Sequence, residues 1–213
     1  MAYRTISKAA LQRLPIYMTY LRSLPDDRTH ISATAIAAAL RMGEVQVRKD
    51  LAAVCDGEGK PKVGYAVKQL IHSLGTFLGY DDLSDAVVVG TGRLGRALLD
   101  YRGFSEYGLR LIAGFDIDGS LAGKTETGKP IYPLSRFEEL CNRLRTRVGI
   151  LCVPAGCAQA VCDLMVKNGV RAILNFAPTH LSVPDSVELQ NEDIAADLAS
   201  LASRLRGKMD DED

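Results

Sequence analysis

Hydrophobic and polar positions follow two different rhythms along this chain. The first follows a helical period. Leu14, Tyr17, Met18 and Leu21 recur at i, i+3, i+4 and i+7, one face of an amphipathic helix that Ser7 caps and that reaches about Leu24. Pro15 removes one hydrogen bond inside that helix, and Pro25-Asp26-Asp27 ends it. Ser32 caps a short second helix over Ala33–Leu40, and Met42-Gly43 turns the chain. A third helix over Glu44–Val54 points Val47, Leu51 and Val54 inward. Two helices joined by so tight a turn predict a helix-turn-helix. Gly, Pro and Lys then alternate through residues 56–65, which predicts a hairpin with a basic tip, the wing of a winged helix. A connecting helix is expected over residues 68–78.

From Ala86 the rhythm changes. Residues 86–89, 111–115, 148–153 and 172–176 are short apolar runs, as in strands buried on both faces. Helical patterns separate them: Leu94, Ala97, Leu98 and Tyr101, then Phe137–Leu144, then residues 157–166. This alternation predicts an α/β fold, a Rossmann-type doubly wound parallel sheet. A last helix, capped by Asn191, carries Ile194, Leu198, Leu201 and Leu205 at spacings of 4, 3 and 4. That narrow stripe suits a partner helix or groove, or its own sheet. The expected organisation is a winged-helix domain over 1–80, a nucleotide-binding domain over 81–190, a dimerisation helix over 191–207 and an acidic tail over 208–213.

Charge sharpens the division. The 213 residues carry no net charge, yet residues 1–75 hold 11 Lys and Arg against 6 Asp and Glu, and the remainder 15 against 20. A basic first third calls for an anionic partner of that part alone. No apolar run approaches the roughly 18 residues of a membrane span, and Met1-Ala2-Tyr3-Arg4 lacks the apolar stretch of a signal peptide. A cytoplasmic location without membrane contact is expected. Five cysteines in such a chain read as buried small hydrophobes. The spacing of Cys152, Cys157 and Cys162 fits no common zinc pattern, so no metal is expected.

Chemistry concentrates at two places. Gly90-Thr91-Gly92-Arg93-Leu94-Gly95 is a G-x-G-x-x-G that follows an apolar strand and opens an amphipathic helix. Its glycines permit the turn, the approach of a pyrophosphate and close packing of helix on strand. Asp116 ends the second strand, placed to accept from adenine-ribose hydroxyls and to repel a 2′-phosphate, which favours NAD(H) over NADP(H). Catalysis finds little support. Of three histidines only His180 stands near the cofactor half, and about forty residues follow the last apolar strand, too few for a substrate domain. No catalytic residue is assigned. The second place is the third helix, which offers Gln46, Arg48 and Lys49 to the major groove of double-stranded DNA. Lys60 and Lys62 of the wing are placed to reach phosphates or the minor groove.

These residues resemble the Rex family of redox-sensing repressors over nearly the whole chain. The marks are Arg13-Leu14-Pro15-x-Tyr17, Gln46-Val47-Arg48-Lys49-Asp50-Leu51, Val63-Gly64-Tyr65, the glycine fingerprint with Tyr101, Val153-Pro154, Asn175-Phe176-Ala177-Pro178 and Asn191-Glu192-Asp193. The resemblance implies a homodimer whose C-terminal helix is swapped onto the partner, and a repressor that leaves its operator when NADH binds. It places Tyr101 and Asp193 of a second copy near the nicotinamide, and it adds Tyr65 to the DNA-binding residues. Arg13, Tyr17, Asp193, Ile194, Leu198 and Leu201 fall to allosteric or dimer roles. The chain departs from the family at 52–57, at Gly43 and at Thr19, none of them cofactor positions.

NAD⁺ and NADH differ in the charge of the nicotinamide, and burying a cation without a counter-charge is expensive. A pocket of Val153, Pro154 and Phe176, with Ile194 of a second copy, would favour NADH. The alternatives are an NAD-dependent oxidoreductase using His180, a regulator that binds CoA or another nucleotide, and a structural dimerisation protein.

Overall fold

The structure is a computed structural model that describes residues 6–55, 59–60, 63–81 and 84–210. Lys62, the rest of the wing tip and the last three residues of the expected acidic tail, 211–213, lie outside the described residues; 208–210 continue the last helix. The chain divides into two compact units, Met1–Asp82 and Leu83–Asp213.

The first unit is built from α1 (Lys8–Arg22), α2 (Ala33–Leu40), α3 (Glu44–Val54) and α4 (Val67–Phe77). The Ser7 hydroxyl accepts from the Ala10 N–H at 3.2 Å, and Ser32 from Ala35 at 3.0 Å, so both expected caps form. Arg41 takes a left-handed conformation (φ 53°) that ends α2, and only Met42 and Gly43 separate it from the start of α3. Leu14, Tyr17, Met18 and Leu21 are buried against Ile36, Val47, Leu51, Leu70 and Leu74. Two strands escaped the sequence pattern: β1 (His30–Ile31) pairs antiparallel with β2 (Tyr65–Ala66). Two residues are too few to display alternation. Just before β2, the Lys60 and Gly64 backbones exchange hydrogen bonds of 3.0 and 2.9 Å, closing the base of the wing.

The second unit is one seven-stranded sheet flanked by helices. Its strands are β3 (Ser84–Val89), β4 (Leu109–Asp116), β5 (Gly123–Lys124), β6 (Pro130–Pro133), β7 (Val148–Leu151), β8 (Ala172–Asn175) and β9 (Glu188–Asn191). They lie in the order β5-β6-β4-β3-β7-β8-β9, all parallel except β5 on β6. Winding proceeds one way from β3 and then the other, so β3 and β7 flank the topological switch point where doubly wound sheets bind ligands. Val87, Val89 and Phe115 pack with Phe137 of α6 (Phe137–Leu144) and Met165 of α7 (Ala155–Lys167). Ala86, Val88 and Leu111 pack with Leu99 of α5 (Arg93–Asp100). With both faces covered, the strands need no polar alternation.

Two expectations change. Asn191 does not cap the last helix; it ends β9 opposite Asn175. The cap of α8 (Ile194–Asp210) is Asp193, whose carboxylate accepts from the Ala196 N–H at 2.9 Å. Both residues are good N-cap formers, and pairing of β9 with β8 decides between them. Nor are the cysteines uniformly buried: Cys55, Cys141 and Cys162 are, Cys152 is half-buried and Cys157 is exposed. Cys157 stands in the first turn of α7, its thiol 3.3 Å from the Pro154 carbonyl, because α7 begins two residues earlier than its apolar pattern. The described positions of α8 from Ile194 to residue 206 are all exposed, and Ile194, Leu198, Leu201 and Leu205 retain 56–64 % of their accessible surface.

Candidate nucleotide site and nucleic-acid interface

The glycine loop leaves the C-terminal end of β3 at the switch point. Gly90 has φ 89°, and a Cβ there would lie 2.5 Å from the Cys152 carbonyl oxygen. Gly95 is tighter still, since a Cβ would come within 1.9 Å of the Gly90 oxygen. Around Gly92 no atom lies within 4 Å of an added Cβ, so the loop is open on that side. Gly92 is the N-cap of α5 and makes no side-chain capping bond, which leaves the first-turn N–H groups facing outward. Such a helix start suits an anion. Arg93 and Leu94 are exposed beside it. Arg96, unremarked in the sequence, braces the loop from behind by donating to the carbonyls of Thr91 (3.1 Å) and Leu121 (3.2 Å).

Asp116 lies at the end of β4, beside this loop. One carboxylate oxygen accepts from the Thr91 N–H at 2.5 Å and the Thr91 hydroxyl at 3.1 Å. The other accepts from the Asp118 N–H at 3.0 Å. A carboxylate offers about four lone-pair sites, so part of its capacity is free for a ribose hydroxyl.

The same edge of the sheet brings up Val153 and Pro154 after β7 and Phe176 after β8, the N–H of Phe176 donating to the Leu151 carbonyl at 2.8 Å. Val153 and Phe176 are half-buried and Pro154 is exposed. The fully buried Asn175 organises this corner. Its amide nitrogen donates to the Ala177 and Thr179 carbonyls (3.2 and 3.1 Å) and to the Asn191 side chain (2.9 Å), while its oxygen accepts from the Ala177 N–H (2.9 Å). One side chain thus fixes the turn after Phe176 and the end of β9. His180 is exposed in the loop that follows. The Cys152 thiol is pushed up to about 12 by burial, which keeps it protonated and unreactive.

Tyr101 follows α5, is 61 % exposed, and packs edge-on against Phe104 with ring centroids 5.3 Å apart. Asp100, just before it, accepts from the Thr125 and Thr127 hydroxyls, and Lys129 donates to the Leu99 carbonyl at 2.5 Å. Burial raises the Asp100 carboxyl, but these hydrogen bonds prevail and hold it below its usual value. No motif marks these residues, because they meet only when the β5–β6 hairpin folds over the end of α5.

In the first unit Gln46, Arg48 and Lys49 are all exposed on α3, as is Lys60 at the wing base, while Tyr65 is half-buried. Arg48 pairs with Glu44 one turn earlier. Arg13 and Tyr17 are not on an outer face. They reach Asp50 of α3, which is only 4 % exposed. The Asp50 carboxylate receives Arg13 through Nε (2.7 Å) and Nη2 (3.0 Å), Tyr17 Oη (2.7 Å) and Gln46 Nε2 (2.8 Å). Burial alone would raise the Asp50 carboxyl; the four donors outweigh it and hold it below the ordinary value. The bond to Asp50 raises the Arg13 guanidinium, and burial followed by the Tyr17 hydroxyl's own bond to Asp50 pushes Tyr17 up to about 12.

Known proteins resemble this chain over nearly its whole length. The chain is 38% identical over 202 residues to the redox-sensing transcriptional repressor Rex of Porphyromonas gingivalis, an alignment covering 94% of this chain and 92% of that protein. It is 41% identical over 204 residues to Rex of Pelotomaculum thermopropionicum, covering 94% of each. The chain belongs to the Rex family of redox-sensing transcriptional repressors. Two crystal structures of RSP, a Rex-family repressor, superpose on it over 97% of its length. RSP with β-NAD⁺ and operator DNA gives a TM-score of 0.89 at 32% identity, covering 95% of the RSP chain. RSP with β-NADH gives 0.86 at 31% identity, covering 97%. Two family models divide the Rex chain: "Putative DNA-binding protein N-terminus" matches residues 5–52 and "CoA binding domain" matches 81–179. Among the described residues no group of three or more His, Cys, Asp or Glu could hold a metal ion, and no helix is long and apolar enough to cross a membrane.

Proposed function

We propose that this Rex protein represses transcription from a DNA operator as a cytoplasmic homodimer, and that NADH releases it. What carries the reading is a helix-turn-helix and a switch-point glycine loop in one chain, alike over 97% of its length to RSP with β-NAD⁺ and operator DNA and to RSP with β-NADH.

The residues present fit a dinucleotide. The open side of Gly92 admits a pyrophosphate, the free first-turn N–H groups of α5 bind it, and Asp116 holds the adenine ribose. The nicotinamide supplies one piece of information when bound: its ring is cationic as NAD⁺ and neutral as NADH. Val153, Pro154 and Phe176 surround that end with apolar surface, and in the dimer Ile194 of the facing copy completes it. Apolar walls disfavour the cation, so closure selects NADH. Gln46, Arg48 and Lys49 enter the major groove, while Lys60 and Tyr65 of the wing reach phosphates or the minor groove. Nucleotide shifts the DNA-competent population only by its difference in affinity for the two conformations. The reading asks no group here to transfer hydride or proton.

The test is anisotropy of a labelled palindromic duplex titrated with protein at fixed salt. NADH is expected to weaken binding while equal NAD⁺ does not. Binding indifferent to both would sink the redox reading. The match to the CoA binding domain favours one rival, a CoA-responsive regulator. Displacement of bound NADH by CoA at equal concentration would support that rival; Asp116, built for a ribose diol, predicts none.

A further inference from the structure

The reading of α3 as the recognition helix leaves open what each side chain presents to a base. The structure constrains this at Gln46. Asp50 is an ionised carboxylate, which only accepts. The Gln46 atom that faces it at 2.8 Å must therefore be the amide nitrogen, and no flip of the side chain is tolerated. Asp50 cannot turn away, because the Arg13 fork and the Tyr17 hydroxyl occupy its other lone pairs at 2.7–3.0 Å and bury it. Gln46 is left with one N–H and one carbonyl oxygen on an exposed edge. That donor–acceptor edge complements adenine, whose major-groove face offers an N6 amino donor and an N7 acceptor. Guanine offers two acceptors, which would oppose the Gln46 oxygen.

We infer that Asp50, clamped by Arg13 and Tyr17, is a positioning residue that locks Gln46 to read an adenine in each operator half-site. Asp50 touches no base; it acts through Gln46. By contrast Arg48 is exposed and pairs with Glu44 on the same helix, and no buried clamp restricts it among the described residues. The inference rests on α3 being the recognition helix.

The experiment uses the full chain and a palindromic duplex that it selects from a random library. Each adenine of a half-site is replaced in turn by 7-deazaadenine, which lacks N7, and binding is followed by anisotropy over a range of salt. One adenine is expected to cost about tenfold in affinity, in line with a bidentate base contact. Gln46→Met should abolish that penalty without changing the slope of affinity against salt, since phosphate contacts are untouched. Asp50→Asn should cut the penalty to below about threefold with the same salt slope, a result that general loosening of the domain would not give. Should Asp50→Asn fail to fold, Gln46→Glu serves: it repels Asp50, cannot donate to N7, and should also be blind to the analogue. The inference is overturned if no adenine is sensitive while binding stays tight, or if any of these variants keeps the wild-type penalty. If no duplex is selected at all, the recognition-helix reading itself falls, and the inference with it.

Discussion

At the scale of single residues, the tightest constraints are steric and electrostatic. Gly95 is the clearest steric case. A methyl group would collide with the Gly90 carbonyl oxygen at 1.9 Å, backbone against backbone, with no flexible side chain to give way. Gly95→Ala should lower stability by about 1–3 kcal/mol, the usual cost of overpacking, and abolish the NADH fluorescence change, read by thermal melting and titration. At Asp116 the expected change is in selectivity. Asp116→Asn should weaken NADH by roughly tenfold, since hydrogen bonds to a charged acceptor are worth about 1.5–3 kcal/mol, and should narrow the gap to NADPH in calorimetry. Asp50 is the electrostatic case. Its folded pKa lies below the unfolded value of 3.8, so its contribution is complete above that value and is lost as pH falls through the folded pKa. Acid unfolding of the first unit, followed by circular dichroism, should therefore begin below about pH 4 and be less steep in Asp50→Asn. At pH 7 that variant should cost about 3 kcal/mol, as for one lost partner of a buried ion pair.

Among the elements, α8 stands apart. Every other helix buries a face within its own unit, whereas Ile194, Leu198, Leu201 and Leu205 keep more than half their surface exposed. Burying the exposed remainder of four such side chains is worth on the order of 4–7 kcal/mol per copy before the cost of association, which makes this stripe the natural dimer contact. Leu198→Glu with Leu201→Glu should yield a monomer by light scattering, and the monomer should lose operator affinity because it presents one recognition helix instead of two. A variant that remains dimeric would show that α8 packs elsewhere. The β5–β6 hairpin is the other informative element. Through Thr125, Thr127 and Lys129 it fixes the end of α5 immediately before Tyr101.

For the whole molecule, the proposed function needs the nicotinamide end to distinguish a cation from a neutral ring. In that proposal the apolar walls are supplied by Val153 and Phe176, and charge is the way to reverse their preference. Phe176→Asp should narrow or invert the preference for NADH over NAD⁺, measured by competition at fixed protein concentration. An unchanged or sharper preference for NADH would show that wall polarity is not what separates the two. The same variant should bind DNA normally without nucleotide, because Phe176 lies in the second unit and α3 in the first.

What the sequence determined by itself was what local chemistry can encode. Ser7 and Ser32 announce their helices because a cap needs one side chain and a backbone three residues away. The apolar runs at β3, β4, β7 and β8 announce buried strands, and the glycine spacing announces a loop that only glycine can form. What the tertiary structure alone decided was everything that depends on partners distant in the chain. The two-residue strands β1 and β2 exist because residues 30–31 and 65–66 are brought together. β9, with one apolar residue among four, is a strand because β8 is beside it, and that pairing moves the helix cap from Asn191 to Asp193. Arg13, Tyr17 and Asp50 lie up to 37 residues apart, and their meeting turns three ordinary polar residues into the clamp on Gln46. Short-range signals survive in sequence because they need no fold to act. A hydrogen bond across 37 residues is specified only once the core has paid the entropy of closing that loop.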